Sequence, residues 1–354
     1  MNIENPSFFI GKGDNDGFIS FGSGQPDLPP PKEVYDILPD YRSFKYGLIQ
    51  GQANLREALA KQYPNANPDN FVITNGASEA IDLALRALYQ PGAKIFLPKP
   101  YYYSYPHNVY LARMEPVYYE LENGKINFET FKKDIQNCRI VLINSPSNPT
   151  GTIQDLDVLK KIEKLAQDLG IYIISDEVYK DLIYERENYL LENGNVLTVN
   201  SFSKTFAMCG FRVGYLYARE KAIIKKVIDM KNHTSMNTNI LGQEMAYEAT
   251  KVPRSRIEAQ TKIWKERRDL IYNGLRDLGL DLWKPEGAFY VFPKMKNPSK
   301  VVSDLYCKYK MIVYNGVWFG DSERVRFSYA LDAEKITEGL KRLKEYLSKE
   351  YKEN

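Results

Sequence analysis

Histidine is almost absent from this chain of 354 residues, where only His107 and His233 occur. Metal centres and catalytic triads built on imidazole therefore have little to work with. Cysteine is nearly as scarce. Cys138, Cys209 and Cys307 lie far apart, without CxxC or zinc-type spacing, and read as free thiols of a reducing compartment. No stretch approaches the ~18 consecutive apolar residues of a membrane helix. Met1 to Asp16 carry Glu4, Lys12, Asp14 and Asp16 instead of a basic segment followed by an apolar one. An excess of one charge is missing too, since 48 Lys+Arg against 45 Asp+Glu leaves +3. Neither nucleic acid nor a membrane is expected as a partner. The expectation is a cytoplasmic, soluble enzyme or binding protein.

What is present begins with length and an apolar content of 44%. At ~150 residues per domain this suggests about two domains with ample core. The 27 tyrosines are unusual, and composition alone does not explain them. From Phe71 the chain alternates short apolar runs with amphipathic segments. Strands are predicted at Phe71–Thr74, Lys94–Leu97, Glu115–Glu120, Arg139–Ile143, Ile171–Ile174 and Val196–Val199. Helices are predicted at Glu79–Tyr89, Phe128–Gln136 and Asp155–Leu169, and Pro98–Tyr105 reads as a loop. Phe211–Tyr217 reads as one more strand, antiparallel because its connection is too short for a crossover helix. Continuous apolar strands alternating with helices predict an α/β fold, with a mostly parallel sheet of the seven-stranded type covered by helices. Such sheets bind ligands beyond the carboxyl ends of their strands.

The period changes after Pro253. Arg254–Leu278 reads as a long charged helix closed by Gly279. Short strands at Ala288–Phe292, Met311–Val313 and Val325–Tyr329 follow, with helices at Pro298–Lys308 and Asp332–Tyr346. The division expected is a large unit, 42–264, and a smaller α+β unit made of 1–41 and 265–354.

Chemistry concentrates in Asn200-Ser201-Phe202-Ser203-Lys204-Thr205, with Arg212 eight residues beyond the lysine and Gly210 and Gly214 around it. Hydroxyls with a guanidinium suit a phosphate, and an adjacent lysine suits imine formation with an aldehyde. Pyridoxal phosphate carries both groups. Four other strand-end features supply complementary parts. Gly76-Ala77-Ser78 opens a helix, whose free N–H groups suit a phosphate. Asp176 ends a buried strand and needs a cationic partner, such as a pyridinium nitrogen. Asn148, held extended before Pro149, and Tyr179 suit the ring's 3-oxygen. Arg326, on a short strand, offers a fork for a substrate α-carboxylate. Each has a plainer reading alone: a polar loop, a helix cap, a structural ion pair, a turn asparagine, a surface arginine. Arg324 takes that last reading. Together the parts fit one cofactor.

The SxSK-x7-R-x-G run and Asn148-Pro149-Thr150-Gly151 resemble those of pyridoxal-phosphate-dependent aminotransferases of the aspartate aminotransferase family, fold type I, class I/II. The resemblance runs from about Phe21 to Leu340. It implies that Lys204 forms the imine and acts as the general acid/base. Ser201, Ser203 and Arg212, with the Gly76-Ala77-Ser78 backbone, would hold the phosphate. Asp176 would pair with the ring nitrogen, while Asn148 and Tyr179 bind the 3-oxygen. Tyr102 would stack on the ring, a choice its neighbours Tyr101 and Tyr103 leave open by one residue. Gly24 and Asn148 would lie with Arg326 at the substrate carboxylate. Tyr46 would reach the phosphate of a neighbouring subunit, implying a homodimer with shared active sites. The implied reaction moves the amino group of an L-amino acid, aspartate or a member of an aromatic or broad range, to a 2-oxo acid such as 2-oxoglutarate. Histidinol-phosphate aminotransferases, lyases and decarboxylases of the same fold use the same machinery, and a regulatory protein retaining the fold is the contrasting class. Phe8, Phe9, Trp318 and Phe319 are candidates for an apolar wall, equally plausible as packing.

Overall fold

The computed structural model describes residues 17–349, apart from 186 and 188. Phe8, Phe9 and the start of the expected small unit lie outside the described residues. The first strand, β1 (Ile19–Ser20), leads into a Gly/Pro segment. The large sheet then uses β2 (Phe71–Thr74), β3 (Lys94–Lys99), β4 (Glu115–Glu122), β5 (Lys125–Ile126), β6 (Ile140–Asn144), β7 (Tyr172–Asp176), β8 (Val196–Ser201) and β9 (Gly214–Ala218). Its order is β2-β9-β8-β7-β6-β3-β4-β5. Seven strands form the body expected from the sequence. The eighth, β5, is a two-residue antiparallel return on the end of β4.

From β8 to β4 the strands run parallel, and β9 is antiparallel to both β8 and β2. The β8–β9 connection holds only the one-turn helix Phe202–Thr205 and a 3-10 turn at Cys209–Phe211, too little for a crossover. β9 therefore starts at Gly214, three residues later than predicted.

Every residue of β6 and β8 is buried, as expected of strands covered on both faces. Alternate residues enter different cores. Leu142, Ile174 and Leu197 pack under the helices Gly76–Leu88 and Lys221–Asn232, whereas Val141, Ile143 and Ile173 pack under Phe128–Asp134 and Leu156–Asp168. Ala53–Ala60 and Ile240–Thr250 cover the β2–β9 edge. Three helices were not foreseen: Ser104–Leu111, Lys221–Asn232 and Ile240–Thr250. The first replaces part of the predicted loop. Its Pro106 falls in the opening turn, where a missing N–H costs nothing.

The C-terminal part contains β10 (Tyr290–Val291), β11 (Met311–Ile312), β12 (Tyr314–Asn315) and β13 (Val325–Ser328). β1 pairs in parallel with β11, and an antiparallel sheet runs β10-β13-β12. The long helix ends at Asp277, and Gly279 follows at φ +79° with its N–H on the Arg276 carbonyl, as a closing glycine should. Phe21 is buried against Gly339, where an added methyl would come within 2.3 Å of its ring. Burying such a ring contributes about 1.5–3 kcal/mol and fixes this segment to the C-terminal strands and helices.

Candidate active site

The strand ends align because the ladder registers do. Asn144 pairs with Asp176, Asp176 with Val199, and both Ser201 and Thr74 with Gly214. A cavity of about 840 Å³ opens beyond this row. Of the residues singled out in the sequence, Lys204, Asp176, Asn148 and Tyr179 line it, as do Ser201, Ser203, Arg212, Ala77 and Ser78. From other parts of the chain Gly24, Tyr102 and Arg326 line it too. Gly76 lies against the Arg212 guanidinium at the rim. Tyr46 is not brought to this cavity; it is 84% exposed, beside exposed Phe44 and Leu48.

Asp176 is buried, and burial pushes its carboxyl up to about 6. It rises no further because the Tyr105 hydroxyl donates to Oδ2 at 2.5 Å, the Val178 N–H reaches Oδ1 at 3.2 Å, and the Lys204 ammonium is near. Asn144 braces this wall. Its Nδ2 donates to the Asp176 carbonyl at 3.1 Å, and its Oδ1 accepts the Asn148 N–H at 2.8 Å. Neither Tyr105 nor Asn144 was singled out in the sequence. Asn144 directly follows the predicted strand Arg139–Ile143, as Asp176 follows its own by two residues, a signal that was available. Tyr105 was hidden among neighbouring tyrosines.

Lys204 follows the strand-end turn, and its Nζ donates to the Gly24 carbonyl at 2.5 Å. Ser201 caps the one-turn helix, accepting the Ser203 N–H at 3.1 Å, and its hydroxyl donates to Ser203 Oγ at 2.8 Å. Arg212 adopts a left-handed backbone at φ 56°, which turns its side chain back toward Asn75 and Gly76. Gly76 itself sits at φ +78°, and a methyl there would stand 2.5 Å from Arg212 Nη2. Two hydroxyls, a guanidinium and the N-terminal turn of a 13-residue helix therefore surround one small volume.

Arg326 is buried, with Nη1 on Asn148 Oδ1 at 2.9 Å and Nη2 on the Gly22 carbonyl at 2.5 Å. Its guanidinium lies 4.4, 4.8 and 4.6 Å from the ring centres of Tyr290, Tyr314 and Phe319. Its Nε has no hydrogen-bond partner among the described residues. Phe319 therefore backs the arginine, and Trp318 packs edge-on against Tyr314 at 5.2 Å. Arg324 is a correction. It is buried over the Trp283 ring at 4.0 Å and donates to the Phe292 carbonyl, so it is not a surface arginine.

Among the neighbouring tyrosines, Tyr102, Tyr103 and Tyr105 line the cavity. Tyr101 turns away and packs, tilted, against Tyr118 with ring centres 5.5 Å apart. Burial first, and Tyr103 second, raise the Tyr102 phenol above its ordinary range. Tyr179 donates to or accepts from Tyr290 at 2.8 Å.

Known proteins share this arrangement of chain. The family Aminotransferase class I and II matches residues 16–343. This chain belongs to that family. It is 32% identical to a probable aspartate aminotransferase of Methanocaldococcus jannaschii, covering 92% of each chain. It is also 32% identical to aromatic-amino-acid aminotransferase 2 of Thermococcus litoralis, over 94% of this chain and 92% of that one. The solved aspartate aminotransferase of Thermotoga maritima superposes with a TM-score of 0.90 at 31% identity, covering 97% of this chain and 95% of the other. The chain is an aminotransferase of fold type I.

Enzymes of this family work with pyridoxal phosphate. The residues here fit that group on two observations. The Gly76 turn has no room for a side chain beside Arg212, and the buried Asp176 carboxyl sits well above its ordinary range with no cation bonded to it among the described residues.

Proposed function

We propose that this aminotransferase moves the amino group of an L-amino acid, aspartate or one of an aromatic or broader range, to a 2-oxo acid such as 2-oxoglutarate. Relatives named for aspartate and for aromatic amino acids support that range. The observation that carries the reading is Lys204 and Asp176, from the ends of β8 and β7, facing one cavity with Arg326 of β13.

Pyridoxal phosphate would be held by Ser201, Ser203, Arg212 and the N–H groups at Gly76, Ala77 and Ser78, with Tyr102 against its ring. When bound, it supplies a sink for the electron pair left when an α-proton departs. Arg326 binds the α-carboxylate of either substrate, with Asn148 and Gly24 beside it, and so fixes which α-bond faces Lys204. Lys204 Nζ removes the proton from the substrate α-carbon and later returns it. The Asp176 carboxylate holds a proton on the ring nitrogen, and Asn148 and Tyr179 hydrogen-bond the 3-oxygen. Tyr102, Tyr103 and Tyr290 wall the reacting centre from water.

The reading extends to a homodimer in which Tyr46 serves a second copy, supported by the exposed run of Phe44, Tyr46 and Leu48. It extends also to the division into 42–264 and 1–41 with 265–354, supported by the apolar core that joins Phe21 to Ile271, Leu275 and the β10–β13 strands. A cytoplasmic location accords with three free cysteines.

Reconstitution of Lys204→Ala with pyridoxal phosphate tests the assignment. Turnover should fall by four orders of magnitude or more, on the order of what loss of a unit's central group costs, and the visible absorbance of the wild-type holoenzyme should be absent. A variant with wild-type absorbance and turnover would sink the proposal. Single-turnover half-reactions with a panel of amino acids then identify the donor.

A further inference from the structure

None of the roles above for cofactor or substrate binding uses the Tyr290 hydroxyl. Tyr290 lies on β10, opposite Ser328 of the strand that also carries Arg326. Its side chain is 1% exposed, and what remains faces the cavity. Four contacts converge on it. The hydroxyl is 2.8 Å from that of Tyr179. The ring centre is 4.4 Å from the Arg326 guanidinium. A methyl on Gly24, whose carbonyl holds Lys204, would stand 2.1 Å from the hydroxyl. A methyl on Gly151 would stand 2.7 Å from the Tyr290 carbonyl, so the loop carrying Asn148 rests on the same residue.

A phenol has one proton to give. If Tyr179 gives its proton to the 3-oxygen, the 2.8 Å contact requires Tyr290 to donate to Tyr179. Donation into a hydroxyl polarises it and strengthens the bond it makes in turn. On the other side, a ring face under a guanidinium removes its freedom to tilt and favours its charge. We propose that Tyr290 is a positioning residue of the transamination: its hydroxyl sets Tyr179 as donor to the 3-oxygen, and its ring holds Arg326 flat for the substrate carboxylate. This rests on the roles given above to Tyr179 and Arg326.

The test uses the holoenzyme and the variants Y290F, Y290L, Y179F and Y179F/Y290F. The first readout is the pH titration of the bound cofactor's visible absorbance. A hydrogen bond to the 3-oxygen stabilises negative charge there, which weakens the hold on the neighbouring proton, so losing it moves the midpoint to higher pH. Y290F should raise the midpoint by roughly 0.3–0.6 pH unit, the scale of a strengthened chain bond and not of a lost one. In the Y179F background the same change should do nothing. The second readout is affinity for succinate, an unreactive dicarboxylate, followed by absorbance. Y290F should stay within about twofold of wild type, while Y290L should bind about five- to twentyfold more weakly.

If Y179F shifts the midpoint and Y290F does not, the coupling is wrong and the Tyr179 role stands. A Y179F protein with the wild-type midpoint removes the Tyr179 role and this inference with it. Wild-type succinate affinity in Y290L overturns the Arg326 half. Should Y290L fail to fold, Y290F and the double variant still decide the hydroxyl's part.

Discussion

Tyr105→Phe removes a single oxygen from the wall behind the ring site, and its consequence can be worked from one contact. The Tyr105 hydroxyl donates to Asp176 Oδ2 at 2.5 Å in a fully buried setting. Hydrogen bonds to charged groups contribute about 1.5–3 kcal/mol. At ~1.4 kcal/mol per pH unit that equals about one to two units. The Asp176 carboxyl, pushed by burial up to about 6 in the cofactor-free protein, should therefore titrate at roughly 7–8 in the variant. Pairing with a ring nitrogen needs the carboxylate, so cofactor affinity is present above this value and lost as pH falls through it. Fluorescence quenching by added pyridoxal phosphate, measured across pH, reads the midpoint directly. Wild-type affinity should weaken below pH 6. The variant should already be weaker by about two- to tenfold at pH 7 and recover toward wild type near pH 9. A uniform loss at every pH, with the wild-type midpoint, would refute the argument and reduce Tyr105 to packing.

Gly76→Ala should raise the dissociation constant for pyridoxal phosphate at least about tenfold, since a left-handed backbone with a side chain costs about 1–3 kcal/mol and the methyl meets Arg212 at 2.5 Å. Inorganic phosphate, competing for the same place, should weaken in parallel. Lys231→Met strips a fully buried cation from Glu79, 3.0 Å away, whose carboxylate also holds the Asn75 N–H at 2.6 Å before the phosphate-facing helix. Urea denaturation should show a loss of about 3–5 kcal/mol, the cost of breaking a buried pair. Asp176→Asn should end turnover yet stabilise the cofactor-free protein by about 2–3 kcal/mol at pH 7.5. The sign follows from a folded-state value above the unfolded one: the contribution is whole below about pH 4 and lost as pH rises through about 6, so melting curves of the two proteins should converge at pH 4.

What the sequence disclosed was the chemistry placed at strand ends. Lys204, Asp176, Asn148 and Arg326 could be found because apolar runs locate strand ends, and polar residues there have few structural uses. Residues working through a neighbour left no such trace. Tyr105 and Tyr290 belong to an abundant residue type, and only the fold reveals that Tyr102, Tyr103, Tyr105, Tyr179, Tyr290 and Tyr314 share one cavity. That sharing accounts for part of the tyrosine excess. Arg324 was misread for a related reason. The strand that follows it, expected at an edge, is instead the middle one of β10-β13-β12, and Trp283 covers the guanidinium. Helix Ser104–Leu111 was missed because Pro106 argues against helix everywhere except the opening turn that it occupies.

Three departures from good folding practice meet at this site. Asp176 is a buried acid held near 6, Arg326 leaves Nε without a partner among the described residues, and Gly76 holds a left-handed turn with no room for a methyl beside Arg212. Each feature costs the empty chain stability, and each is complementary to a group that binding would bring: the cofactor's ring nitrogen and phosphate, and the substrate's carboxylate. A chain shaped only for stability would remove them one at a time, as Asp176→Asn would. Their coexistence around a single cavity is explained if binding recovers what folding gave up, since a ligand that prefers the native state adds RT ln(1 + [L]/Kd) to its stability. Cofactor saturation should accordingly raise the melting temperature of the wild type more than that of Asp176→Asn.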